Sequence, residues 1–185
     1  ERALVVSENT NDMMDEAFRG LRTNLKFVMN ADKGENVLMV TSVIPGEGKT
    51  FVSTNLAMSY ALLGKRVIVV GLDVRKPRLS NLFGLHDRQR GITEFLITDG
   101  DDTSILEKQI FHGVGNENLD VLPAGTIPPN PGELVGQDSL AKAIKYLSGK
   151  YDVVILDTPP MGLVSDALDI ARWAHATVVV CRCDV

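Results

Sequence analysis

The sequence predicts an α/β fold in which helices cover both faces of a doubly wound, mainly parallel sheet. Three observations predict it. Short apolar runs near residues 37, 67, 119, 152 and 177 alternate with helical patterns, the order from which parallel sheets are built. The runs VLMV, RVIVVG and YDVVIL are apolar almost without interruption, as expected of strands buried on both faces. The first run leads directly into a glycine-containing loop ending Gly48-Lys49-Thr50, and then into a helical pattern through Leu56, Ala57 and Ala61.

In chain order, Glu1 to Ser7 is a short apolar lead-in, and Asn9 to Asp12 offers several N-cap candidates. Residues 12–29 read as a helix preceding the core, with Met14, Phe18, Leu21, Leu25 and Val28 at spacings of three and four along one face. Glu16, Arg19 and Arg22 lie three apart on another face, which by itself reads as a solvated surface with an intrahelical ion pair. After the loop and its helix, Gly64-Lys65 closes the helix and Arg66 to Gly71 forms the next strand, followed by Asp73, Arg75, Lys76, Pro77 and Arg78. Ser80 to Gly115 reads as short helices broken by Gly84, Gly91 and Gly100. Asn118 to Leu122 is a strand, and Ile127-Pro128-Pro129-Asn130-Pro131 a stiff, extended connection into one helix over Glu133 to Leu147. Tyr151 to Leu156 delivers Asp157, Ser165-Asp166 can cap a short helix to Trp173, and Ala176 to Cys181 is the last strand.

Composition narrows the classes. The 185 residues suit one domain with a full core, and 44% hydrophobic with 23% charged residues is ordinary for a soluble protein. A net charge of −5 argues against binding nucleic acid non-specifically. No apolar run approaches a membrane span and there is no signal peptide, so the chain as given reads as soluble. Beginning at Glu1 and stopping at Val185 just after an apolar run, it reads as an excised fragment. Cys181 and Cys183, two apart, are expected to share a face at the last strand and read as reduced thiols.

The loop carries the chemistry. Gly46 and Gly48 let the backbone curl so that several amide N–H groups face one anion, and the following helix adds its N-terminal partial charge. Lys49 is placed to neutralise the β- and γ-phosphates of a nucleotide, and the Thr50 hydroxyl to ligate Mg²⁺. Pro45, Gly46, Glu47, Gly48, Lys49, Thr50 and Phe51 are thus the expected ATP-binding segment of a P-loop NTPase architecture. Val43 stands where the pattern has its first glycine, so the loop's beginning is expected to differ. Asp73 lies beyond a strand's carboxyl end, on the edge where ligands bind; the lesser alternative is a solvated loop whose aspartate caps the next turn. Asp157 is the second acidic group expected of a hydrolase or kinase of this loop class. In a parallel sheet all carboxyl ends share one edge, so Lys49, Asp73 and Asp157 converge on one site.

With these residues in place the chain resembles the cytoplasmic kinase domain of bacterial tyrosine kinases, the BY-kinases tied to capsule and exopolysaccharide export. TSVIPGEGKT resembles their Walker A segment, VIVVGLDVRKPRL their Walker A′ and YDVVILDTPP their Walker B. NLDVLPAGTIPPNPGEL resembles a further family segment, and Glu16-x-x-Arg19-x-x-Arg22 the family's oligomerisation motif. The resemblance implies an ATP- and Mg²⁺-dependent kinase that autophosphorylates a C-terminal tyrosine cluster in trans within a ring of subunits, and acts on tyrosine-containing protein substrates. It also implies a membrane activator region, fused or separate, that tethers this cytoplasmic domain to the inner membrane. Carried over, Thr50, Asp73 and Asp157 hold the metal, Asp73 takes the proton of the tyrosine hydroxyl, Arg75 favours phosphate-side contacts, and Glu16, Arg19 and Arg22 join subunits.

Two features depart from the resemblance. Gly71 replaces the first aspartate of a D-x-D pair, leaving Asp73 alone. Only Tyr60, Tyr146 and Tyr151 are present, all inside predicted elements. Two other readings compete. An ATP-dependent switch of the MinD/ParA kind would carry a signature lysine at position 44, where this chain has Ile44. A regulatory module that binds nucleotide without transferring phosphate is made conceivable by Gly71.

Overall fold

Five parallel strands organise the chain: β1 (Val37–Ser42), β2 (Val67–Gly71), β3 (Leu119–Leu122), β4 (Val153–Asp157) and β5 (Ala176–Val180), in the sheet order β3-β2-β4-β1-β5. The computed structural model describes residues 4–7, 13–135, 138–162 and 166–183. Every residue of β1, β2 and β4 is buried, which is why these strands read as unbroken apolar runs rather than as alternating ones. Their side chains divide between two cores. Val37, Met39, Ile68, Val70, Val154 and Leu156 face one, while Leu38, Val40, Val67, Val69, Val153 and Ile155 face the other. At about 1.5–3 kcal/mol for each fully buried aliphatic side chain, the three strands supply much of the fold's driving force. The edge strand β5 has only one neighbour, β1, and accordingly alternates between covered and exposed residues.

On one face lies α2 (Lys49–Ala61), buried almost throughout because it is sandwiched between the sheet and α1 (Met13–Val28). Phe18 of α1 meets Phe51 of α2 at a ring-centroid distance of 6.0 Å, tilted by 58°. The Asn55 side chain of α2 accepts the backbone amides of Val5 and Val6 at 2.8 and 3.2 Å, anchoring the apolar lead-in. Between β2 and β3 come three short helices, α3 (Leu79–Leu82), α4 (Thr93–Leu96) and α5 (Thr103–Gln109), the broken helical region expected from its glycines. The other face is covered by α4, α5 and by α6 (Pro131–Val135) and α7 (Asp138–Lys150), with α8 (Asp166–Ala171) leading into β5.

Of the helix expected over Glu133 to Leu147, the described residues are helical, as α6 and α7, and residues 136–137 between them lie outside the described residues. The structure corrects two expectations. The short helix expected to reach Trp173 ends at Ala171. The solvated face of α1 is only partly solvated. Arg19 pairs with Glu16 at 3.3 Å as the spacing suggests, and also with the buried Asp15 at 2.8 Å. Arg22, however, turns inward, donating to the Ser59 carbonyl at 2.5 Å and its hydroxyl at 2.7 Å. The N-cap candidates at Asn9–Asp12 and the cap at Ser165 lie outside the described residues.

Candidate nucleotide-binding site

Beyond Ser42 the chain turns through residues 43–48 into α2. Gly46 (φ 90°) and Gly48 (φ 97°) are left-handed, and no neighbouring atom lies within 4 Å of where a Cβ would stand. Glycine is therefore required here by backbone conformation, not by lack of space. Gly48 sits directly ahead of the helix, so the first amides of α2 point into the turn, as in sites that bind anions at helix starts.

The strand register brings three carboxyl ends level. Asp157 at the end of β4 pairs with Val40 on β1 and with Gly71 on β2. Two backbone bonds continue that row, from the Leu72 amide to the Asp157 carbonyl at 2.8 Å and from the Thr158 amide to the Val40 carbonyl at 3.1 Å. Side chains from these ends meet accordingly. The Lys49 ammonium donates to Asp73 Oδ2 at 3.0 Å, with both side chains about nine-tenths buried. The Thr50 hydroxyl donates to Asp157 Oδ2 at 2.8 Å. Asp73 also serves the turn that follows it, because its Oδ1 accepts the Lys76 amide at 3.1 Å. Asp73 thus both caps its own turn and meets Lys49.

Burial pushes the Asp157 carboxyl up to about 6; the charge of Lys49 and the hydroxyls of Thr50 and Ser53 oppose this, while the charge of Asp73 adds to it. One ammonium and two carboxylates therefore sense one another. The donors that meet here are hard oxygens, and among the described residues no group of three or more His, Cys, Asp or Glu could cage a metal alone. That set fits Mg²⁺, which typically takes one or two carboxylates and completes its shell with phosphate oxygens and water.

The remaining expected residues fall in different places. Pro45 and Gly46 form the exposed crest of the loop, while Phe51 turns its ring to Phe18 and so faces the site only by its backbone. Arg75 is exposed two residues beyond Asp73. Glu16, Arg19 and Arg22 are on α1, whose packing partner is α2. Gly71 occupies a tight position, since a Cβ there would lie 3.2 Å from the Ala124 amide nitrogen and 3.4 Å from Leu79 Cδ2. The sequence reading missed Ser53, a buried hydroxyl with two acceptors in reach of its one proton, the Lys49 carbonyl at 2.9 Å and Asp157 Oδ1 at 3.3 Å. Its spacing, three residues after Thr50 on one helix face, was the available signal. It also missed the side chain of Glu47, which folds back onto the amides of Val43 and Ile44.

Comparison with known proteins agrees with this geometry. Residues 35–183 match a family described as an AAA domain. A putative tyrosine-protein kinase in the cps region of Klebsiella pneumoniae is 36% identical over 98% of this chain and 24% of its own length. The chain thus spans about a quarter of that relative. Tyrosine-protein kinase YwqD of Bacillus subtilis is 34% identical over 97% of this chain and 73% of its own length. Among solved structures, the kinase domain of Escherichia coli tyrosine kinase ETK superposes with a TM-score of 0.87 at 38% identity, covering 96% of this chain and 67% of that one. The septum site-determining protein MinD of Pyrococcus horikoshii, complexed with Mg-ADP, superposes less closely, with a TM-score of 0.62 at 26% identity over 78% of this chain and 57% of that one. A parallel sheet with its phosphate loop after β1, and kinases matched along nearly the whole chain, place this protein in the bacterial tyrosine-protein kinase family of P-loop domains.

Proposed function

We propose that this domain transfers the γ-phosphoryl group of ATP to tyrosine hydroxyls, with Mg²⁺ as its metal. The observation that carries the reading is the meeting of Lys49 with Asp73 at 3.0 Å and of Thr50 with Asp157 at 2.8 Å, on one sheet edge. In phosphoryl transfer a protein chiefly positions groups and neutralises charge. The amides of Gly46 to Phe51 and the Lys49 ammonium hold the phosphates. Thr50, Asp157 and Asp73 would hold Mg²⁺, which when bound neutralises charge on the β- and γ-phosphates. Asp73 orients the acceptor hydroxyl and takes its proton, for which Lys49 must exchange its carboxylate partner for phosphate. Arg75, exposed beside Asp73, serves the phosphate side. With Gly71 opposite Asp157 instead of a second aspartate, Asp73 combines both duties.

On this reading the acceptors are tyrosine-containing proteins and a tyrosine-rich tail phosphorylated between copies of the chain, in the service of capsule or exopolysaccharide synthesis and export. Glu16, Arg19 and Arg22 contribute to a ring of subunits, Glu16 being the most exposed of the three, and a membrane activator region tethers the domain. No helix among the described residues is long and apolar enough to cross a membrane. Incubation with ATP, Mg²⁺ and a tyrosine-rich peptide tests the proposal. Phosphotyrosine that disappears in Lys49→Met and falls at least about 100-fold in Asp73→Asn supports it. Release of free phosphate without phosphotyrosine refutes it in favour of a nucleotide switch.

A further inference from the structure

The loop's own carboxylate is placed where no phosphate contact requires it. Glu47 Oε2 accepts the amides of Val43 at 2.8 Å and Ile44 at 2.9 Å, and Oε1 accepts the amide of Arg182, just beyond β5, at 3.2 Å. The first amides of a helix, here Lys49 to Phe51, are the ones offered to an anion, and the three that Glu47 engages are not among them. Val43 replaces the glycine with which such loops usually begin, and no residue other than glycine has a positive φ among the described residues. The turn therefore starts without left-handed freedom and is held by bonds instead. The Ser42 hydroxyl donates to the Ile44 carbonyl at 2.8 Å, and the Gly162 amide to the Val43 carbonyl at 3.1 Å. This last approach is so close that a Cβ on residue 162 would lie 2.5 Å from the Val43 oxygen. Val43 is thus gripped by its carbonyl from the β4 side and by its amide from Glu47. The Ile44 amide above all, with those of Arg182 and Val43, holds the Glu47 carboxyl below the usual glutamate range, against a desolvation that acts the other way.

We propose that Glu47 is a positioning residue whose carboxylate, bonded to the amides of Val43, Ile44 and Arg182, fixes the curl of the phosphate loop before nucleotide binds and so sets nucleotide affinity. The inference rests on the nucleotide-binding reading of this loop and adds to it a second tie, from the loop to the end of β5. A loop that must be ordered on binding weakens affinity, and one ordered beforehand does not. Glutamine at this position keeps a carbonyl oxygen for Val43 and Ile44, but its –NH₂ cannot accept from Arg182.

The experiment combines titration of Mg-ADP by calorimetry with residue-resolved amide exchange in the nucleotide-free protein. Glu47→Ala is expected to weaken Mg-ADP binding about tenfold and Glu47→Gln about twofold, the free-energy losses standing in proportion to the bonds each removes. Exchange should accelerate at Val43, Ile44 and Arg182 in Glu47→Ala and at Arg182 alone in Glu47→Gln, a pattern that general destabilisation does not produce. Binding by Glu47→Ala as tight as that of the unaltered chain, or tighter, overturns this inference alone, as does unchanged exchange at the three amides. Failure of the unaltered chain to bind Mg-ADP overturns both this inference and the reading on which it stands.

Discussion

Replacing Asp157 with asparagine should make the nucleotide-free domain more stable at neutral pH. An aspartate carboxyl ordinarily ionises near 3.8, and burial pushes that of Asp157 up to about 6. Between those values the unfolded chain has released a proton that the folded chain keeps. Stability therefore falls as pH rises through this window, and the loss is complete above about 6. At about 1.4 kcal/mol per pH unit, the charge costs folding about 3 kcal/mol at roughly pH 7.5 and only about 1 kcal/mol at roughly pH 4.5. Asparagine removes that cost with little loss of hydrogen bonding. Its oxygen can accept from Thr50, and its amide can donate to Ser53, whose hydroxyl already donates to the Lys49 carbonyl. Urea unfolding followed by circular dichroism at the two pH values measures the difference. Asp157→Asn should gain about 3 kcal/mol near neutrality, shrinking to about 1 kcal/mol on acidification. An asparagine variant no more stable than the original near neutrality, or an advantage that does not shrink in acid, refutes the reasoning.

Arg22→Ala should lose about 2 kcal/mol in urea unfolding, because two hydrogen bonds from a charged, half-buried guanidinium to Ser59 are removed. Glu16→Ala, whose side chain is 68% exposed, should change stability by less than about 0.5 kcal/mol. Equal losses for the two contradict the clasp assigned to Arg22. Gly91→Ala should cost about 3 kcal/mol or prevent folding, since its Cβ would lie 2.1 Å from the Gly125 amide nitrogen and 2.4 Å from the Ala124 carbonyl carbon. Gly149→Ala, in α7 with no atom within 4 Å of the new Cβ, should stabilise by about 0.5 kcal/mol. Thermal melts of the pair decide the matter, and similar melting temperatures sink the steric argument.

The central strands were legible because burial on both faces forces the uninterrupted apolar pattern that a reader of sequence can see. Their limits moved by a residue or two, and β4 starts at Val153 where the apolar pattern begins at Tyr151. Lys49 and Thr50 were legible because glycine spacing and a following helix dictate a backbone form by themselves. Asp73 and Asp157 were legible only through topology, since nothing local distinguishes them from turn-capping aspartates. What could not be read depends on partners far along the chain. Arg22 finds Ser59 in another helix, and Glu47 finds Arg182 beyond the last strand. Helical spacing places Arg22 on a surface and the loop pattern says nothing of where the Glu47 side chain goes; only the packing of α1 on α2, and the end of β5 beside the loop, supply their partners.

Where the site is built explains why its geometry can be shared by proteins that differ in so much else. Asp157 stands on β4, the middle strand of five, flanked on either side by the strands that carry the loop of Lys49 and the segment of Asp73. A slip of β4 by one residue would move its carboxylate about 3.3 Å and turn it to the opposite face. It would also exchange Val154 and Leu156 in one core for Val153 and Ile155 in the other, so both cores would have to repack. The distance from Thr50 to Asp157 is therefore fixed by the hydrophobic register of the whole sheet, not by the loops around it. Those loops set the rest. The turn from Val43 to Gly48 is shaped by glycines and by Glu47, and Asp73 by its own bond to Lys76. Changes in the turns can consequently reshape the loop side of the site while the carboxylate row at the strand ends stays in place.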